Sequence, residues 1–266
     1  MKHRRIILFA IINLMIIAGY SQSTKYSNSV TTDVTICETK IDITFGWYTK
    51  TPWLNSNSFT GPKSAVGIRK YYVSTDYYKE IKINSANGLS ESLIKIPYFK
   101  NRQGSRDEIS NINIWVQKNN KKQKIKINNK LLKDEPLNDS INQLTYKIDN
   151  INAGDVVIYS FNQRSALYAG IPSIYFQSKY PTLKFNLKVA VPTDNFDVNF
   201  IPIGSDDLNY EKSEETIQIR EFDENMKSRY YSLKCDVVAV ELSNLEPILC
   251  PKEGIGIKME VDKVHY

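Results

Sequence analysis

Apolar and polar residues alternate along most of this chain. In LKFNLKVAVP, residues 183–192, Leu183, Phe185, Leu187, Val189 and Val191 share one parity, while Lys184, Asn186, Lys188 and Ala190 take the other. A helix would scatter those five apolar side chains around its axis, whereas a strand lines them up on one face. GIGIKMEVDKV, residues 254–264, repeats the device with Ile255, Ile257, Met259 and Val261 inward and Lys258, Glu260 and Asp262 outward. Shorter versions are KEIKIN (79–84), SLIKIPYF (92–99), INIWVQ (112–117), KIKIN (124–128), LTYKID (144–149) and TIQIR (216–220). Between them lie NSANG (84–88), KNRQG (100–104), KNNKK (118–122), INAGD (151–155) and PTDN (192–195), which place Gly, Asn, Asp or Pro where the chain must reverse. No amphipathic run is long enough for a helix of three turns. One-face alternation also differs from the continuous apolar runs of a sheet covered on both sides. The pattern predicts an all-β fold, an antiparallel β-sandwich of about twelve strands with little helix.

IPSIYFQSKYP, residues 171–181, crowds aromatics between two prolines. As a strand it turns Ile174, Phe176 and Ser178 to one side and Tyr175, Gln177 and Lys179 to the other, and Pro181 ends or bulges it. No nucleophile and base are needed to explain it; packing aromatics suffice.

The alternation fails at both ends of the first seventy residues. Lys2, His3, Arg4 and Arg5 precede IILFAIINLMIIA, an apolar run broken only by Asn13, and small residues Gly19 and Ser21 follow. That is the layout of a secretory signal peptide, expected to be cleaved after residue 21. The run is shorter than the roughly 20 residues of a spanning helix, so the mature chain is expected to hold no transmembrane helix. The first cysteine is Cys37, too far along for a lipid anchor. Residues 22–70, rich in Ser, Thr and Asn, read as a leader with one or two strands, DVTICETKIDITF among them, and a long loop. Residues 71–266 read as the sandwich proper. Export to the periplasm or cell surface is the expected location.

Removing the signal peptide takes Lys2, Arg4 and Arg5 out of the 35 basic residues that face 29 acidic ones, which halves the formal charge of +6. A balance that near neutral gives no reason to expect nucleic acid, whose binding rests on neutralising many phosphates. Three cysteines, Cys37, Cys235 and Cys250, pass into the oxidising compartment. Cys235 and Cys250 could bridge neighbouring strands, with buried free thiols as the alternative.

Catalytic and metal chemistry find little to work with. Histidine-assisted Cys or Ser catalysis needs an imidazole beside the nucleophile, and past the leader the one histidine is His265, the penultimate residue. The cysteines lack paired zinc-ligand spacing. Asp206 with Asp207 and Glu214 with Glu215 are the adjacent acids, and a glycosidase-type pair can be assembled only in three dimensions. No cofactor is expected. Two surface features offer a ligand or partner surface. Lys118, Lys121, Lys122, Lys124, Lys126, Lys130 and Lys133 crowd one predicted hairpin, where they would attract anionic glycans or a membrane surface, or guard a sheet edge against aggregation. Trp47 and Trp53 could stack on sugar rings or receive a peptide, and a glycan site would require them to share a face with the lysines.

NAGDVVIYSFNQRS, then YFQSKYP, then a strand running into VAVP, resembles domain of unknown function 3857, an exported bacterial domain that usually sits upstream of a transglutaminase-like module. The resemblance runs from EIKINSANGLSESLIKIPYFKNRQGSRDEISNINIW to CDVVAVELSNLEPILCPKEGIGIKMEVDKV, roughly Tyr78 to Val264. It implies a positive φ at Gly154, strand closure at Pro181 and Pro192, and an acidic–alanine–glutamate pattern at Asp236, Ala239 and Glu246. Val238 stands where the family usually has proline, and no transglutaminase-like segment follows. The implied protein is a non-catalytic β-sandwich accessory domain acting by protein–protein contact in the cell envelope, with a transglutaminase-like protein as a conceivable partner. A glycan-binding module and a carboxylate-type hydrolase are the alternatives.

Overall fold

The computed structural model describes residues 32–50, 68–100, 106–127, 131–166, 173–205, 208–222, 228–248 and 254–264. The expected signal peptide and residues 51–67, within the segment expected to hold a long loop, lie outside them. Among the described residues no helix is long and apolar enough to cross a membrane.

The chain is all-β. In order it forms β1 (Val34–Lys50), β2 (Ile68–Ile83), β3 (Leu93–Phe99), β4 (Glu108–Lys118), β5 (Lys121–Ile125), β6 (Lys133–Pro136) and β7 (Ile141–Lys147). It continues with β8 (Val156–Ala166), β9 (Ile174–Tyr175), β10 (Thr182–Pro192), β11 (Phe196–Ile203), β12 (Glu211–Phe222), β13 (Ser228–Leu245) and β14 (Gly256–Val264). Eight strands build one sheet in the order β12-β13-β10-β1-β2-β8-β4-β5, and two three-stranded sheets, β11-β14-β9 and β3-β7-β6, complete the set. Every pairing is antiparallel except β1 with β10, which run parallel. The strand within DVTICETKIDITF is thus no peripheral leader: it sits between β10 and β2 near the middle of the large sheet.

Alternation decides which face is covered. Ile43 and Phe45 of β1, Val73 and Ile81 of β2, Val157 and Tyr159 of β8, and Leu187 and Val189 of β10 all point to one side. Both small sheets lie on that side. Ile94, Ile96, Tyr146 and Ile148 from β3, β7 and the residue after it close one core against β2, β4 and β8. Phe176, Phe196, Ile257 and Met259 from the β9–β11–β14 region close a second core against β1, β10 and β13. The arrangement is sandwich-like, one large layer facing two small ones. A third, smaller cluster of Ala190, Cys235 and Val237 lies on the opposite face. There the edge strand β12 also approaches β1, which rolls that corner of the sheet over itself.

Local chemistry accounts for several details. Asn119 and Asn120 both take positive φ, 47° and 60°, which is the mirror-image turn a two-residue hairpin requires, and it joins β4 to β5. Gly154 has φ 94°, the turn conformation expected of it. NSANG behaves differently from a simple turn: Ser85 caps a 3₁₀ helix, Ala86–Ser92, by accepting from the N–H of Asn87 at 3.2 Å. Gly88 lies so close to the start of β1 that a Cβ there would stand 2.3 Å from the carbonyl oxygen of Asp33, so no larger residue fits.

Two expected strands need correction. Leu183 is 48% exposed, although it shares the parity of buried Phe185. The inward residues here are Thr182 and Phe185, three apart, and their partners on β1 are Ile36 and Thr39, also three apart. The alternation slips on both strands together, beside a bulge between Ile36 and Glu38, and Leu183 is turned out. In SIYFQSKY only Ile174 and Tyr175 pair as a strand. Gln177 takes over from the ladder: its side chain accepts from the N–H of Ile255 at 3.0 Å and donates to the carbonyl of Glu246 at 3.2 Å. Pro181 directly precedes β10 as expected, but with β9 ending at Tyr175 it closes no strand, whereas Pro192 is the last residue of β10.

Candidate functional site

With both small sheets on one side, the opposite face of the large sheet is where outward side chains meet solvent, except at the corner where β12 and β13 cover Ala190, Cys235 and Val237. Register places them in rows across the strands. Lys188 of β10, Asp42 of β1, Asp76 of β2, Asn162 of β8 and Ser110 of β4 are successive cross-strand partners. The next row reads Asn186, Lys40, Tyr78, Ser160 and Asn113. One step further, Glu38 faces Glu80. Neighbouring strands are about 4.8 Å apart, so each row is a ladder of touching side chains.

Two carboxylate pairs, Asp42 with Asp76 and Glu38 with Glu80, stand directly opposite one another. Like charges so placed repel, and each acid here is held by a donor. Lys40 lies 3.3 Å from Asp42, and Asn162 donates to Asp76 at 2.8 Å and to the Ser74 hydroxyl at 3.0 Å. Asn186 donates to Glu38 at 3.1 Å, Lys184 lies 3.7 Å from it, and the Tyr78 hydroxyl donates to Glu80 at 3.0 Å. Burial first, and then the Glu80 carboxylate that accepts its proton, push the Tyr78 phenol well above its usual range, so Tyr78 is a donor at any physiological pH. Lys188 reaches Glu215 of β12 at 2.7 Å. Exposed pairs of this kind add about 0–1 kcal/mol each to stability. Their consequence is for whatever approaches the face.

At the centre of the rows is a shallow depression of about 330 Å³, bordered by Lys40, Asp42, Asp76, Tyr78 and Asn162. On its β4 side a bulge between Ser110 and Asn113 puts Asn111 at φ 53°, and the Asn113 amide donates to the Asn111 carbonyl at 2.8 Å. A glycosidase keeps one carboxyl protonated in apolar surroundings beside an ionised one. Asp42 and Asp76 instead sit in an open polar ladder with donors at hydrogen-bond range. The arrangement offers fixed donors and acceptors for binding. Among the described residues no three His, Cys, Asp or Glu side chains converge as metal ligands.

The residues singled out in the sequence are distributed elsewhere. Trp47 is partly buried against the core of the covered face. Lys122 and Lys124 lie on the opposite face at the edge strand β5, 4.8 Å and 5.7 Å from the ring of Trp115. Three strands separate β5 from β1, so the structure does not bring Trp47 and these lysines together. Lys121 pairs across the hairpin with Lys118 and is turned to the other side, and Lys126 is exposed just beyond the strand. Lys133 does not belong to that hairpin but to β6 in another sheet. Lysines on β5 occupy a sheet edge, where charge discourages strand addition. Trp53 lies outside the described residues. Cys235 is a free, buried thiol, and Cys250, with which a bridge is one of the two readings, lies outside the described residues. Burial and the nearby carboxylates of Asp236 and Glu215 push the Cys235 thiol up to about 11. Burial and Glu80 also raise that of Cys37, so neither thiol is poised as a nucleophile. The carboxylate rows escaped the sequence reading because their members come from five strands between Glu38 and Lys188; the outward positions of KID, TDYYKE and SFNQ were the available signal.

No protein-family model matches the chain, nor does any curated protein sequence. Among solved structures, the fold is similar to that of a provisionally assigned protease from Parabacteroides distasonis, with a TM-score of 0.56 and 8% sequence identity over 85% of this chain and 40% of that one. An M1 zinc metallopeptidase from Deinococcus radiodurans aligns over 85% of this chain and 42% of its own length, at 7% identity and a TM-score of 0.35. The second likeness is too loose to carry an argument, and the first concerns fold alone. The chain spans less than half the length of either solved protein.

Proposed function

We propose that this chain is an exported, non-catalytic β module that acts by contact with another envelope protein through the uncovered polar face of its large sheet. The observation that carries the reading is the row Lys188–Asp42–Asp76–Asn162–Ser110 with its neighbours, a charge-patterned surface on the side of the sheet away from both small sheets. The resemblance to domain of unknown function 3857 supports it, as does a fold match confined to part of a longer solved protein. A basic head followed by an apolar run supports export.

The carboxylate-hydrolase alternative makes the opposite forecast for the same two residues. Purified chain incubated with peptide, ester and polysaccharide substrates is expected to give no turnover above the blank. Hydrolysis that disappears in Asp42→Asn or Asp76→Asn, with unfolding midpoints unchanged, would overturn the proposal, since such variants remove a carboxylate while preserving shape.

A further inference from the structure

The outer face of the β3-β7-β6 sheet carries a second, differently built depression of about 360 Å³. At its floor is Thr145 of β7, 6% exposed. Its cross-strand partners are Lys95 of β3 and Lys133 of β6, one on each side, and Lys147 lies two residues along the same strand. All three lysines are exposed, and among the described residues none makes an ion pair, nor does the Thr145 hydroxyl find a hydrogen-bond partner. Three exposed ammonium groups thus surround the enclosed Thr145, a concentration of positive charge with a hydroxyl donor at its centre that suits an anion. Strand spacing puts the Lys95 and Lys133 backbones about 10 Å apart, within which their side chains can converge above Thr145. The other end differs in chemistry: Gln143 and Glu135 are cross-strand partners there. Leu93, the cross-strand partner of Lys147, and Leu131, 52% exposed, border the depression at the Lys147 end.

We propose that this depression binds a phosphorylated sugar, its phosphate over Thr145 among Lys95, Lys133 and Lys147. Ring hydroxyls then meet Gln143 and the Glu135 carboxylate, which repels a second anion and fixes the orientation. The volume is at the lower end for small-ligand sites, of the order 300–1,000 Å³. The site stands apart from the polar face of the large sheet and does not depend on that reading.

The test is calorimetric titration of the full chain with glucose 6-phosphate, inorganic phosphate, glucose, and vesicles containing phosphatidylglycerol. Glucose 6-phosphate is expected to bind saturably and more tightly than inorganic phosphate, with no binding of glucose. Each of Lys95→Gln and Lys133→Gln is expected to weaken it about fivefold, on the scale of one lysine beside an anionic group, and Thr145→Val to weaken it at unchanged charge. Lys122→Gln with Lys124→Gln, at the far edge of the large sheet, is expected to leave it unchanged. Failure of glucose 6-phosphate to saturate, equal losses in the Lys122 and Lys124 control, or binding of the vesicles alone would each overturn the proposal.

Discussion

Phe45→Ala is expected to destabilise the protein by about 3–5 kcal/mol, the range for removing a large aromatic from a close-packed core. Domains of ordinary stability hold about 5–15 kcal/mol in total, so the variant should be marginal at 37 °C. Phe45 is fully buried on β1, and its ring meets that of Phe196 edge to face at 5.3 Å. Tyr71 makes a similar contact with Phe196 at 5.2 Å, so losing Phe45 loosens a three-ring group that spans the large sheet and the β11–β14 sheet. Equilibrium unfolding in urea measures the effect as a lower midpoint at unchanged slope. A loss within about 0.5 kcal/mol, the usual range of a surface substitution, would mean that β1 is peripheral after all.

Asp107→Ala is expected to cost about 3 kcal/mol, through hydrogen bonding rather than volume. The Asp107 carboxylate is buried and accepts from the backbone N–H of Phe99 at 2.9 Å and from the Gln163 amide at 2.7 Å, while its own N–H donates to the Phe99 carbonyl at 2.8 Å. Phe99 ends β3 in a small sheet and Gln163 belongs to β8 in the large one, so this single side chain ties the two layers. Alanine leaves two donors without acceptors. Asp107→Asn keeps one acceptor oxygen of the same shape and is expected to lose about half as much on the same scale. Equal losses in the two variants, again by urea unfolding, would show that the bonds to Phe99 and Gln163 are not what holds the layers.

Much of the fold was legible in the sequence because strand period and burial share one cause. LIKIPYF, KEIKI and GIKMEV alternate in sequence and are buried at the same parity in the structure. Legibility ended where backbone chemistry or register intervened. Nothing in LKFNLK announces that Leu183 turns outward, since the slip is shared with Ile36 and Thr39 on a strand almost 150 residues earlier. The parallel pairing of β1 with β10 was equally hidden, because alternation reports which face is buried and says nothing of a neighbour's direction. Gln177 broke a strand by satisfying two backbone groups with its side chain. The candidate site suffered most. Asp42, Asp76 and Asn162 each read as an ordinary outward polar residue, and they become a row only through two separate registers. Thr145 was less visible still: a polar residue on an outward parity gives no sign of being enclosed between Lys95 and Lys133.

A large sheet with one face packed and the other open is tested most directly by single thiols placed three residues apart on one strand. In a chain whose native cysteines are replaced by serine, Asp76→Cys and Val73→Cys place single thiols on opposite faces of β2. Alkylation under native conditions is expected to modify Cys at position 76 at the rate of a free thiol and to spare position 73 until the protein unfolds. Protection of both positions would mean that a further layer covers the polar face, and would contradict the account.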